Sequence, residues 1–333
     1  MASQLQPVSD SSAWTAADFP VRRSWARPLG ETALADLDAA MRRAVATGTP
    51  FHEIRREDCP LPTFGPALAG ALEDLETGAG FALFTGFPFA RYSYDEALLC
   101  YAIVSAHLGV IVEQTHKGDR KIDVTDKGLP YDHKTRGYSS NKLLPFHTDG
   151  ADIVGLLSLG KAAEGGLSIL VSAASVYNAI LAERPDLLAV LQRGFHHHRR
   201  GEHEAGEAAV SAERIPVFAF HVGILHCCYN RNPVEWAVKE GVVLTDLEHE
   251  ALDYFDAVAA RPEMQIRMEL EPGDIQYVNN YAVLHSRTEY RDDGAHKRHL
   301  VRMWVNAHDT RRAGPTIQLL YAPHVARQRL AAD

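Results

Sequence analysis

Two histidines and an aspartate of this chain have the types and spacing of a metal-binding set. His147 and Asp149 lie two positions apart, and His285 follows much later in the chain. Residues two apart on an extended segment point to the same side, so His147 and Asp149 can bind one ion. Two histidines and one carboxylate occupy one face of an octahedral Fe(II) and leave the opposite positions open for a substrate and O2. The set therefore indicates a catalytic metal rather than a structural one.

Two arginines, Arg298 and Arg302, follow the distal histidine. If the apolar segment from Leu300 is a strand that begins near Arg298, both arginines share the face of Leu300 and can point into the site. A guanidinium matches a carboxylate through two parallel hydrogen bonds, so each arginine is a candidate clamp for an anion. Two alternatives stay open: an ion pair of Arg302 with an internal acid, and a polar turn at Arg298.

Four motifs in this order resemble those of the taurine dioxygenase and 2,4-dichlorophenoxyacetate dioxygenase (TauD/TfdA) family, whose members depend on Fe(II) and 2-oxoglutarate. The resemblance covers residues 78–310. The motifs are Phe146-His147-Thr148-Asp149, Gly165-Gly166-Leu167-Ser168, Pro272-Gly273-Asp274 leading to Asn280 and Leu284-His285-Ser286-Arg287, and Arg298-x-x-x-Arg302.

The resemblance implies a role for each of these residues. His147, Asp149 and His285 would be the ligands of Fe(II), with 2-oxoglutarate and O2 as cosubstrates. Arg298, helped by Ser168, would hold the distal carboxylate of 2-oxoglutarate. Arg302 is the competing candidate for that contact, although the spacing from the distal histidine favours Arg298.

The implied reaction couples oxidative decarboxylation of 2-oxoglutarate, to succinate and CO2, with hydroxylation of a small molecule. Desaturation or cyclisation by the same site stays open, and secondary metabolism is one setting for such chemistry. Related oxygenases that halogenate lack the carboxylate ligand, and this chain keeps Asp149, so halogenation is not expected. The alternative is a cupin-like metal-dependent hydrolase or isomerase with the same His-Asp-His site, which would not need Arg298.

Other polar residues are candidates for contacts near the metal or the substrate. Asn279 and Asn280 precede His285 and match a step of the family, so we expect them to orient hydrogen bonds around the iron; a bulge or turn is the alternative. Asn230 and Arg231 could line a substrate pocket, or they could cap a turn.

A run rich in histidine, arginine and glutamate extends over residues 195–207. Its charge density predicts a solvated strand end and loop rather than a metal site. Because the family inserts a lid in this part of the chain, Arg199 or Arg200 could meet an anionic substrate. Together with Arg302, Arg136 and Arg231, this run suggests a small anionic or amino-acid-like substrate.

The elements that must position these motifs are short apolar strands separated by turns. Their pattern predicts a mainly β fold with flanking α-helices, a double-stranded β-helix of the jelly-roll, cupin-like kind that holds ligands in its mouth. Strands are expected at 81–88, 121–124, 142–146, 153–159, 167–172, 217–221, 224–229, 265–270, 275–279 and 300–306. Helices are expected at 34–41, 67–72, 93–108, 176–191 and 244–260.

We expect a flexible arm over residues 1–24 and a single catalytic domain over residues 25–333. That domain would comprise a helical part at 25–77, a barrel core at 78–310 and a lid or insert at 175–265. A homo-oligomer is compatible with the sequence.

Composition fits a globular enzyme. The chain has 333 residues, of which 46% are hydrophobic, and a net charge of −9. That charge argues against a nucleic-acid partner, which needs a basic surface. No apolar run is long enough to span a membrane and the first ten residues are polar, so a cytoplasmic protein is expected. The four cysteines lack C-x-x-C spacing and are expected to be reduced thiols.

Overall fold

The computed structural model describes residues 6–21, 23–128, 137–203 and 206–308, apart from the side chain of Tyr138. Antiparallel strands form the centre of the molecule and helices flank them. The helices are α1 Glu31–Thr47, α2 Gly65–Thr77, α3 Tyr94–Leu108, α4 Ala173–Glu183, α5 Pro185–Arg193, α6 Arg231–Lys239 and α7 Asp246–Ala259. The strands are β1 Ala26–Pro28, β2 Phe81–Thr85, β3 Gly109–Val112, β4 Ile122–Val124, β5 Leu144–His147, β6 Ile153–Gly160, β7 Glu164–Gly165, β8 Ser168–Ser172, β9 Phe218–His221, β10 Ile224–Cys227, β11 Gln265–Met268, β12 Ile275–Asn279, β13 Val283–Arg287, β14 Tyr290–Arg291 and β15 His299–Ala307.

Two sheets carry the candidate residues. The larger sheet has seven strands in the order β1-β2-β12-β6-β15-β3, with β4 also paired to β15. The smaller sheet has four strands in the order β11-β8-β13-β5. Two further sheets have two strands each, the hairpin of β9 with β10 and the pair of β7 with β14. Strands far apart in the sequence are therefore neighbours, which brings β5 and β13 together.

Alternation along the strands explains why both faces of each sheet are covered. On β15, Leu300 and Trp304 belong to a core cluster shared by the two sheets. Val301 and Met303 point the other way, into a cluster with α1, α2 and α3. The outer face of the smaller sheet packs on α4, α5 and α7. Side chains on the inner faces, where residues two apart share a side, are therefore enclosed between the sheets.

The ends of the helices follow local sequence signals. Ser93 caps α3, where its hydroxyl accepts from the backbone N–H of Glu96 and the Glu96 carboxylate accepts from the backbone N–H of Ser93. Thr245 and Glu248 form the same arrangement at α7. Pro185 begins α5 and separates it from α4. The expected helix over 176–191 is accordingly two helices.

The expected elements are present with small shifts at their ends. One helix, α6, was not expected, because its first residues also favour a turn. Five strands were not expected either: β1, which pairs in parallel with β2, and β3, β7, β13 and β14. None of the described helices is long and apolar enough to cross a membrane. All four cysteines are buried and free of disulfides.

Part of the N-terminal arm packs against the rest of the chain. Trp14 is 3% exposed, and its indole N–H donates to the carbonyl of Ala79 at 2.8 Å. Its ring also lies edge-on to Phe19 and Phe81. An aromatic cluster thus holds the segment, and the Ser- and Ala-rich composition gave no sign of it.

Candidate active site

The two histidines lie side by side on neighbouring strands of the smaller sheet. His147 ends β5, and His285 in β13 is its direct partner in the antiparallel register. Their ring centroids are 4.2 Å apart. Asp149 lies just beyond β5, with Oδ1 at 3.9 Å from His147 Nε2 and Oδ2 at 3.9 Å from His285 Nε2. One donor atom from each residue lies within 4.8 Å of the other two, so the three can converge on a single ion.

The surroundings keep these residues in the protonation states that a metal requires. His147 Nδ1 lies 2.8 Å from the carbonyl of Pro145, so Nδ1 carries the proton and Nε2 presents its lone pair. Burial lowers the pKa of both imidazoles, that of His285 to about 3. Burial would raise the pKa of Asp149, but the charge of Arg302 and the hydrogen bond from Trp304 hold it well below its usual range. Neutral imidazoles and an ionised carboxylate are the metal-binding forms.

Arg302 contacts one of the metal-binding candidates, Asp149. Its Nη1 donates to Asp149 Oδ2 at 3.1 Å, and Trp304 Nε1 donates to the same oxygen at 3.1 Å. Gln114 fixes the arginine, because its Oε1 accepts from Arg302 Nε at 2.8 Å and its Nε2 donates to the Arg302 carbonyl at 3.0 Å. The internal acid that the sequence left open as a partner is therefore Asp149, and a role for Arg302 in cosubstrate binding is not supported.

The two asparagines before His285 have different contacts. Asn280 Oδ1 accepts from the backbone N–H of Asp149 at 3.0 Å, and its Nδ2 donates to the Ala151 carbonyl at 2.8 Å. Asn279 Nδ2 donates instead to the Leu75 carbonyl at 3.0 Å, at the end of α2. Asn280 thus holds the loop that carries Asp149, whereas Asn279 joins a helix to the sheet.

Arg298 is buried just ahead of β15. Its side chain is 7% exposed, and in the described part of the chain Nη1 is buried without a hydrogen-bond partner. Burial, and then the nearby charge of Arg287, lower the pKa of Arg298 to about 10. Burial of an unpaired cation is unfavourable in free energy, so the surroundings of Arg298 favour a bound anion. Gly166 makes room for it, because a Cβ there would lie 3.0 Å from Arg298 Cδ.

Ser168 has a different partner from the one expected. Its hydroxyl donates to Gln276 Oε1 at 3.1 Å, and Gln276 Nε2 approaches the Met268 sulfur at 3.1 Å. A hydroxyl has a single hydrogen to donate. Ser168 is buried on β8 close to the Gly165-Gly166 turn, but its hydroxyl hydrogen is already donated to Gln276.

Two other candidates have structural partners. Arg231 binds Glu235, Asp253 and Asp256 at 2.7–2.9 Å and so ties α6 to α7. Asn230 caps α6, where its Oδ1 accepts from the Asn232 N–H at 3.2 Å, while its backbone bridges to His147. A direct substrate contact by Arg231 is therefore not supported.

The run at 195–207 has one arginine paired at the surface and another close to the metal set. Arg199 forms an ion pair with Glu207 at 3.1 Å, which does not support its role in substrate binding. The guanidinium carbon of Arg200 lies 5.0 Å from the centroid of the Trp236 ring, and the charge of Arg200 lowers the pKa of His147. Arg136 and Glu204 lie outside the described residues.

Sequence reasoning missed Trp304, Gln114 and Trp236 as neighbours of the site. Trp304 had a signal, because it lies two residues after Arg302 on a predicted strand and so shares its face. Gln114 and Trp236 had none, since only the folded chain brings them close.

Comparisons with known proteins find relatives over most of the chain. Residues 46–304 match the model of the taurine catabolism dioxygenase TauD, TfdA family. The chain is 35% identical to FR-33289 synthase of Streptomyces rubellomurinus over 92% of each chain. It is 25% identical to the taurine hydroxylase-like protein SAT17 of Stachybotrys chartarum, over 89% of this chain and 79% of that protein.

Solved structures share the fold. An asparagine oxygenase in complex with Fe(II), 2S,3S-3-hydroxyasparagine and succinate has a TM-score of 0.66 and 17% identity, over 85% of this chain and 93% of its own. The non-heme iron oxygenase OrfP in complex with Fe and alpha-ketoglutaric acid has a TM-score of 0.61 and 14% identity, over 84% of this chain and 94% of its own.

Proposed function

The chain belongs to the TauD/TfdA family and by that membership is a 2-oxoglutarate-dependent dioxygenase; from this premise we propose how its residues divide the work. His147, Asp149 and His285 bind Fe(II), and Arg298 binds the distal carboxylate of 2-oxoglutarate. The enzyme converts 2-oxoglutarate to succinate and CO2 and hydroxylates a small molecule, with desaturation or cyclisation as variants. The observation that most directly supports this proposal is that one donor atom from each of His147, Asp149 and His285 lies within 4.8 Å of the other two.

The residues fit both groups. Iron with bound 2-oxoglutarate supplies the activation of O2. His147 is oriented through Pro145, and Asp149 is oriented by Arg302 and Trp304, which both donate to Oδ2. Oδ1 faces His147 and is free of these two contacts, so the carboxylate can bind a metal through one oxygen. Nη1 of Arg298 has no hydrogen-bond partner among the described residues, and a carboxylate oxygen could accept from it.

The two facing sheets support the double-stranded β-helix as the fold of a single catalytic domain over residues 25–333. The barrel core would run over 78–310, with the helical part 25–77 outside it and an insert at 175–265. One core cluster is shared by the two sheets, as expected when they close around a common interior. His147 and His285 lie on paired strands at the edge of that interior.

We propose a small anionic or amino-acid-like substrate. The charge of Arg302 lowers the pKa of all three metal-binding candidates, and the charge of Arg200 lowers that of His147. Positive charge around a site favours anions. Asparagine oxygenase and OrfP, which share the fold, were solved with hydroxylated amino acids, and that supports the same class here.

The hydrolase alternative is weaker. A metal-dependent hydrolase activates water with the metal and does not need a second buried cation. This chain has such a cation in Arg298, which a hydrolase leaves unexplained.

Turnover of 2-oxoglutarate tests the proposed function. We expect the purified protein with Fe(II) and O2 to form succinate slowly without substrate, and faster with a true substrate from a panel of amino acids and small organic anions. Replacement of Asp149 by Ala should abolish succinate formation. Activity without O2, with Zn(II) or Mn(II) in place of iron, would contradict the proposal.

A further inference from the structure

We propose that the hydroxyl of Tyr290 is the second donor to the distal carboxylate of 2-oxoglutarate, beside Arg298 and in place of Ser168. This inference rests on the proposed function, because it concerns the same cosubstrate. No motif drew attention to Tyr290, which lies between the distal histidine and the cosubstrate arginine.

Tyr290 is enclosed and its hydroxyl is unsatisfied. The residue is 3% exposed, and within the described chain its hydroxyl is buried without a hydrogen-bond partner. A buried tyrosine normally finds a partner for its O–H, because desolvation of an unpaired hydroxyl is unfavourable. An unpaired buried hydroxyl is therefore a sign of a missing ligand.

A second unsatisfied donor lies in the same cluster. The guanidinium carbon of Arg298 is 5.3 Å from the centroid of the Tyr290 ring, and its Nη1 also lacks a partner among the described residues. Gly166 closes the cluster, since a Cβ there would lie 3.0 Å from Arg298 Cδ and 3.4 Å from Tyr290 Cβ. One carboxylate, with two oxygens that accept several hydrogen bonds, can satisfy both donors.

The local charge also favours an anion. The guanidinium carbon of Arg287 lies 4.7 Å from the same ring centroid, so the ring has two cations close to it. Arg287 is held by the carbonyl of Ser140, which accepts from its Nη1 at 2.9 Å. The two positive charges repel each other, and this repulsion adds to burial, the larger cause of the lowered pKa of Arg298. A bound carboxylate would relieve that repulsion.

Ser168 is less well placed for this role. Its hydroxyl donates to Gln276 at 3.1 Å, and a donation to a carboxylate would break that bond. Among the described residues, the Tyr290 hydroxyl has no such bond to give up.

The test compares two keto acids on the Fe(II) protein under anaerobic conditions. Both 2-oxoglutarate and 2-oxobutyrate can chelate iron, but 2-oxobutyrate has no distal carboxylate. Tyr290→Phe keeps the ring and its contacts with both arginines and removes the hydroxyl alone. Affinities are read from the visible charge-transfer band and, independently of that band, by calorimetry.

We expect Tyr290→Phe to weaken binding of 2-oxoglutarate on the order of tenfold, the effect of one hydrogen bond to a charged group. Binding of 2-oxobutyrate should stay unchanged. Tyr254→Phe, which removes a phenol bonded to Glu183 at the surface, is the matched control and should bind both acids as the wild type does. Ser168→Ala should weaken 2-oxoglutarate less than Tyr290→Phe.

Two results would overturn the inference: unchanged 2-oxoglutarate affinity in Tyr290→Phe, or equal weakening of both keto acids. If the wild-type protein binds Fe(II) but neither keto acid, the proposed function itself fails, so the two failures are distinguishable.

Discussion

Arg298 and Arg302 are close in sequence, yet they have different partners. Arg302 donates to Asp149, whereas Arg298 is buried and its Nη1 has no partner among the described residues. Arg298 lies just ahead of β15 and Arg302 lies within it, and the strand register shifts between them, at His299 and Leu300. We therefore propose that Arg302 orients the metal-binding candidate Asp149 and that Arg298 binds the cosubstrate.

Exchange of each arginine for glutamine should separate these two roles. Arg302→Gln should lower Fe(II) affinity by about 10- to 100-fold, the usual effect of removing a group that orients a ligand. Its affinity for 2-oxoglutarate at saturating iron should change little. Arg298→Gln should show the reverse, with normal Fe(II) affinity and much weaker 2-oxoglutarate binding. Calorimetric titration of each variant with both ligands measures this, and the same loss profile in both variants would contradict the assignment.

Arg200 is the cation of the His/Arg-rich run that acts on the metal set. It also has a positive backbone φ of 58°, an uncommon conformation for arginine and one often found at functional sites. We predict that Arg200→Ala raises KM for an anionic substrate on the order of tenfold, as loss of a charged contact does. The neighbouring Arg199→Ala, which removes only a surface ion pair, is the control and should leave KM unchanged. Equal KM values for Arg200→Ala and wild type would exclude Arg200 as a substrate contact.

At the scale of elements, the turn between β12 and β13 serves both the metal site and the fold. Asn280 reaches the loop of Asp149, and Asn279 reaches the end of α2. Their side chains diverge because neighbouring residues at a strand end point to opposite sides.

Alanine at each asparagine should therefore have a different effect. Asn280→Ala should weaken Fe(II) binding, because the backbone of Asp149 loses its acceptor. Asn279→Ala should lower the free energy of unfolding by about 1–3 kcal/mol, the cost of unsatisfied buried groups, with little change in Fe(II) affinity. Urea unfolding and metal titration of both variants test this. Normal metal binding by Asn280→Ala would show that its contacts with the loop are not needed.

Strands β5 and β15, which carry His147 and Arg302, were predictable because their residues alternate or form apolar runs between turns. Strand β13, which carries His285, was not predicted. The face shared by Arg302 and Leu300 also followed from that alternation. Helix α6 was missed because Asn230 and Pro233 favour a turn as well as a helix start, and local sequence does not distinguish the two. Gln114 and Arg302 are partners only because β3 pairs with β15, a pairing that local pattern cannot specify.

At the scale of the whole molecule, the core encloses all four thiols. Burial raises the pKa of Cys100 and of Cys228 to about 12, and it also raises the pKa of Cys59 and Cys227. The unfolded chain would ionise its thiols near pH 8.5. Because the folded pKa is the higher one, this contribution to stability is complete below about pH 8.5 and declines as the pH rises further.

The native protein should accordingly react very slowly with a thiol reagent at pH 8, since the thiolate is the reactive form. All four thiols should react after unfolding in urea. The urea concentration at the midpoint of unfolding should also decrease when the pH is raised from 8 to 10. Rapid labelling of the native protein would contradict the enclosed core.

The central claim is that one chain binds Fe(II) through His147, Asp149 and His285 and binds 2-oxoglutarate through Arg298. The most direct test is an anaerobic titration of the metal-free protein with Fe(II) and then 2-oxoglutarate, followed in the visible region. We predict a weak charge-transfer band that requires both ligands, disappears with a chelator, is lost in His285→Ala and needs far more 2-oxoglutarate in Arg298→Ala. Iron that binds without any band on addition of 2-oxoglutarate would contradict the account.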